Sequence, residues 1–193
     1  MKHLILICGL LVAGNCGAQI LALPYDSITG RINYKQITEV PNGKQDQVFT
    51  NAWRWLQKKY GPAVDTILVM DKEHGRIVVH ATVNQALTLK GTEHKAYLEH
   101  LVTINAKDNK CLVQISDLKF KEHFDATEFS SAGWKEVPLE GVVLGVMNGR
   151  FGEANSKAYV KFLISEDISI KAIMDSFDAF VFDADALQAT RDK

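Results

Sequence analysis

Residues 46–60 read DQVFTNAWRWLQKKY, and residues 66–83 read TILVMDKEHGRIVVHATV. At about 100° per residue, Val48, Phe49, Ala52, Leu56 and Tyr60 gather on one face of a helix over 46–60. Trp53 and Trp55, two residues apart, fall on opposite flanks of that stripe. Gly61-Pro62 stops the helix. In the second stretch the period changes from helical to alternating. Thr66–Met70 and Arg76–Val83 flank the turn Asp71-Lys72-Glu73-His74-Gly75, whose glycine suits the left-handed conformation. Ile77, Val79, Ala81 and Val83 alternate with Arg76, Val78, His80 and Thr82, and the first set reads as the core face.

Outward from this centre the same two periods recur. Gly30–Val40 reads as a strand with Ile32, Tyr34 and Gln36 on one face, ended by Pro41-Asn42-Gly43. Tyr97–Ala106 and Lys110–Phe120 flank the turn Lys107-Asp108-Asn109 as a second hairpin. In it Leu98, Val102 and Ile104 share a face with His100, while Cys111, Val113 and Ile115 share one with Asp117. Regularity fades over about 122–153, an insertion too apolar for a disordered linker, where an ordered loop or short extra elements are expected. Ala154–Leu163 fits one helix and Glu166–Phe182 a second, with Ile170, Ile173, Met174, Phe177, Phe180 and Val181 at helical spacing. Residues 183–193 form a polar tail. The order strand, helix, four strands, insertion, helix fits an α+β domain: an antiparallel sheet with two helices on one face.

The chain has 193 residues, 47% hydrophobic and 23% charged, the composition of a folded globular protein. Met1-Lys2-His3, an apolar run Leu4–Ala13 and the small-residue site Cys16-Gly17-Ala18 have the three-part layout of an export signal cleaved before Gln19. That leaves 19–182 as a single domain, with no transmembrane segment after cleavage. Lipidation at Cys16 is the lesser alternative, because Ala13-Gly14-Asn15 lacks the large apolar residue that such a site favours. Cys111 then remains alone, so no internal disulfide forms, and its strand context reads as a buried thiol. With 22 basic and 23 acidic residues the chain carries no general attraction for nucleic acid or anionic lipid.

Gly30-Arg31-Ile32-Asn33-Tyr34, the segment Gln47–Leu56 with Trp55, and the two hairpins together resemble a family described as a domain of unknown function with a TBP-like fold. The similarity covers roughly Asp26 to Phe120, with the last helix a looser match; Trp53 and the long insertion depart from the pattern. The resemblance implies a curved sheet over two helices, in exported proteins of Gram-negative anaerobes and their relatives. It implies no activity, since the family brings no catalytic residues to carry over, and fold alone does not bring DNA binding.

Chemistry-bearing patterns are sparse. His74, His80, His94, His100 and His123 lack the spacings of zinc ligands. Asp175, Asp178, Asp183 and Asp185 surround no common centre, and neither Ser130-Ser131 nor the glycines from Gly141 to Gly152 match a nucleophile elbow or phosphate loop. His80, His100 and Asp117 are the remaining polar groups that a cleft could gather. No cofactor is expected. The leading expectation is a non-enzymatic exported domain that contacts a protein or envelope component through the sheet face bearing Arg76, Val78, His80 and Thr82, or through the insertion. The plainer reading of those four is ordinary solvent-facing strand positions. The alternative function is small-ligand binding in a pocket near the insertion, lined by Phe124 and Trp134; aromatics beside a loop more often anchor it to the core.

Overall fold

The computed structural model describes residues 23–61, 64–89, 92–124 and 133–182. The expected export signal at 1–18 and the expected polar tail at 183–193 lie outside them. The chain forms β1 (Tyr34–Glu39), α1 (Gln45–Tyr60), and four long strands: β2 (Val64–Asp71), β3 (Arg76–Leu89), β4 (Thr92–Lys107) and β5 (Lys110–Phe124). A short β6 (Gly133–Pro138), α2 (Leu139–Met147) and α3 (Gly152–Phe182) complete it. The sheet runs β1-β5-β4-β3-β2 with every pair antiparallel. β4 takes one side of β5, so β1 and β6 lie end to end along the other, opposite Lys110–Ile115 and Lys119–Phe124 respectively.

The helices share one face of this sheet. Val48, Phe49, Ala52, Trp55, Leu56 and Tyr60 of α1 are buried, and so is the stripe Tyr159, Leu163, Ile170, Met174, Phe177 and Val181 of α3. They meet Ile77, Val79 and Ala81 of β3 and Leu98, Val102 and Ile104 of β4 in one core. The two Trp flanks differ, since Trp55 is buried and Trp53 only partly so. The indole N–H of Trp55 donates to Ser176 Oγ at 3.1 Å, which ties α1 to α3. No helix of the described residues is long and apolar enough to cross a membrane.

Three features depart from simple alternation. First, β5 does not place Asp117 with Cys111, Val113 and Ile115. Asp117 adopts φ 52° and the register with β4 slips between Glu99 and Leu101, which is a β-bulge. The extra residue flips the phase, so Leu118 and Phe120 continue the core face. Asp117 instead meets Arg31 at 3.3 Å. Second, the hairpins do not stop at Val83 or begin at Tyr97. β3 and β4 pair continuously from Arg76↔Asn105 to Leu89↔Thr92, joining all four strands into one meander. Third, the two helices expected at the C-terminus are one 31-residue helix, about 46 Å long. Glu166 sits in its buried stripe, three residues after Leu163 and four before Ile170. Among the described residues of the insertion region, 122–124 extend β5, β6 adds a strand, and α2 buries Leu139, Val142 and Val143.

Gly75 fixes where the β2–β3 hairpin turns. Its φ is +66°, and a Cβ there would stand 2.2 Å from the Ala106 carbonyl oxygen. The Gly75 carbonyl accepts from Ala106 N–H at 2.7 Å, so the backbone cannot retreat without losing that bond. Gly75→Ala is therefore expected to destabilise the protein by about 2–4 kcal/mol through backbone strain and overlap. A urea unfolding curve checks this, and a midpoint unchanged from wild type would refute the tight approach.

Candidate functional site

With the helices on one face, the alternate residues of β3, β4, β5 and β6 point to the other. Register places Thr82 beside Glu99, Glu99 beside Lys119, Tyr97 beside Lys121, Lys121 beside Glu136, and His123 beside Trp134. The bulge at Asp117 is what turns Lys119, Lys121 and His123 outward, because it shifts the phase of β5 by one. A cross-strand charge lattice results. Lys121 bonds Glu99 and lies 3.3 Å from Glu136, Lys119 lies 3.1 Å from Glu136, and His80 Nε2 lies 3.8 Å from Glu99. The hydrogen bond to Glu136 raises the Lys119 ammonium, and that to Glu99 raises Lys121. The Lys119 bond in turn holds the Glu136 carboxyl low.

At the β6 edge of this lattice stands Trp134, 48% exposed. Its ring centroid lies 4.9 Å from that of Tyr97 and 4.9 Å from that of His123. The two neighbours hold the indole against the sheet while leaving much of it open, a fixed apolar surface ringed by charges.

The residues singled out from the sequence fall as follows. Arg76 is exposed at the turn end of β3, while Val78 is 7% exposed, closed in by its pairing partners Val69 on β2 and Thr103 on β4. His80 and Thr82 are half-buried on the outer face, with His80 facing Glu99. Trp134 is on that same face, and the side chain of Phe124 lies outside the described residues. His80 and His100 do not approach each other across one sheet face. His100 points into the core, where its Nε2 is 3.1 Å from the Tyr60 hydroxyl, and His80 points the other way. Asp117 is with Arg31, so the three polar groups do not converge. Cys111 is fully buried, and burial pushes its thiol up to about 12. Among the described residues no group of three His, Cys, Asp or Glu is placed to hold a metal.

Sequence reasoning missed Tyr97, Glu99, Lys119, Lys121 and Glu136 as members of one surface. Alternation with Leu98 turns Tyr97 and Glu99 outward, but Lys119 and Lys121 join them only through the bulge phase, which no local pattern announces. It also missed Glu166, although the three–four spacing of the α3 stripe places that residue inward.

Residues 34–121 match the family described as a domain of unknown function (DUF4468) with TBP-like fold. The structure is similar to the crystal structure of a TBP-like protein from Parabacteroides distasonis. The TM-score is 0.53 at 20% identity, over 77% of this chain and 94% of that one. It is also similar to a DUF4468 family protein from Bacteroides ovatus, with a TM-score of 0.52 at 12% identity over 77% of this chain and 89% of that one. At these identities the likeness is one of fold. No curated protein matches the chain significantly.

Proposed function

Because residues 34–121 match the family of TBP-like domains of unknown function, we propose a non-enzymatic reading of the chain. It is an exported interaction module whose outer sheet face holds a protein of the cell envelope, with Trp134 as the anchor. The supporting observation is the half-exposed Trp134, fixed by Tyr97 and His123 on a face where, among the described residues, no helix packs. A rigid aromatic set in a polar, charged surround is the arrangement on which interface energy concentrates. Nucleic acid is not the proposed partner, since Lys119 and Lys121 are committed to carboxylates and phosphate binding needs uncommitted cations. The three-part, signal-like layout of residues 1–18 supports the envelope as the place of work.

Co-purification from the envelope fraction, followed by a binding titration with the purified partner, tests this. Trp134→Ala is expected to weaken binding at least about 30-fold, or roughly 2 kcal/mol. It should move Tm by no more than about 2 °C, as for a surface change. The N-terminal mass of the exported chain is expected to place its start at Gln19. If Trp134→Ala and Lys121→Glu recover the same partners at wild-type affinity, the outer face is not the interface.

A further inference from the structure

On the opposite, helix-bearing side of the sheet, a groove of about 550 Å³ runs between the far half of β3 and the first half of α3. Leu87 and Phe162 give it apolar walls, Lys157 and Lys161 stand one helical turn apart on its exposed side, and Gln85 and Glu166 lie at its base. Glu166 is 1% exposed. Gln85 Nε2 donates to its Oε2 at 3.0 Å, while its buried Oε1 has no hydrogen-bond partner among the described residues. Burial pushes this carboxyl up to about 8, so near neutral pH it is a carboxylic acid. Since Oε2 is already an acceptor, the acidic proton belongs on Oε1, a donor with no acceptor supplied by the fold. Buried donors are rarely left so.

We propose that this groove binds a small amphiphilic oxyanion, whose apolar body lies along Leu87 and Phe162 and whose oxygens accept from Glu166 Oε1 and Lys161. Charge complementarity selects this occupant. Lys157 is paired with Glu153 at 2.8 Å, so an amine would meet the Lys161 ammonium and an acid holding its proton, and a wholly apolar molecule would leave the Glu166 donor unsatisfied. The volume lies within the range of small-molecule sites, about 300–1,000 Å³. The groove is separated from the outer face by the sheet itself, so the two readings stand or fall separately.

Octanoate and octyl phosphate, titrated separately into the ¹⁵N-labelled full chain, test the proposal through amide shifts. Binding of either is expected to move residues 85–88 and 157–166, and the tighter of the two assigns carboxylate or phosphate as the recognised group. Glu166→Gln keeps a donor and should hold affinity within about threefold. Glu166→Met keeps the length without the donor and should lose at least about tenfold. Lys161→Glu, an exposed change that leaves the fold intact, should lose at least about tenfold as well. The proposal is overturned if neither anion binds, if octylamine binds as tightly as octanoate, if the shifts fall outside the groove, or if folded Lys161→Glu binds like wild type.

Discussion

Phe177→Ala should lower the free energy of unfolding by about 3–5 kcal/mol, as removal of a large core aromatic does when its site cannot collapse. Phe177 is fully buried near the C-terminal end of α3, its ring edge-on to Trp55 with centroids 5.0 Å apart. Trp55 is fixed in turn by Tyr60 at 6.1 Å and by its bond to Ser176, whose hydroxyl donates to the Ile173 carbonyl at 2.6 Å. The cavity is therefore walled by side chains already held in place, and partial relaxation is the most it can achieve. The urea midpoint should fall with the slope m unchanged, and Ile28→Ala, 94% exposed, should shift it by less than about 0.5 kcal/mol. A loss below 1 kcal/mol would mean that α1 and α3 do not dock as one layer.

How much of this was legible depended on whether an element faces the dry core. α1 and the paired part of β2 and β3 read correctly because Val48, Leu56, Ile77 and Val79 all meet the same core and keep its period. Reading failed where the inward face turns polar. β3 continues past Val83, but its inward positions there are Gln85 and Leu87, opposite Ala96 and His94 on β4, so the alternation that marks a strand is lost. The α3 pattern breaks at Glu166 for the same reason, a charged residue standing where the stripe calls for an apolar one. These lapses coincide with the groove: Gln85, Leu87 and Glu166 all line it. The outer face was hidden by a different cause. A single left-handed residue, Asp117, reverses the phase of β5, and nothing in the alternation on either side says on which residue the slip falls.

Glu166 also carries the largest pH effect expected of this fold. Its carboxyl is raised from the ordinary 4.5 to about 8 by burial. Between those two values the unfolded chain has released the proton and the folded chain still holds it, so the native state binds more protons. Stability must then fall as pH rises. The loss begins above about 4.5 and is complete once the folded carboxyl ionises above about 8, where it amounts to something on the order of 3–5 kcal/mol. The groups around it are Gln85 on β3, Tyr34 on β1, and Asp167 and Lys161 on α3. Tyr34 stays protonated throughout, because burial and its 2.9 Å bond to Asp167 push its hydroxyl up further. Glu166→Gln removes the titration and keeps an oxygen that can accept from Gln85. Groups that titrate elsewhere do so in both proteins and cancel in the difference. Relative to wild type, the Gln variant should thus gain stability steadily from pH 5 to pH 9 in ligand-free denaturant titrations. A flat difference over that interval would mean that the folded chain ionises Glu166 as readily as the unfolded one. The carboxyl would then be solvated rather than dry at the base of the groove.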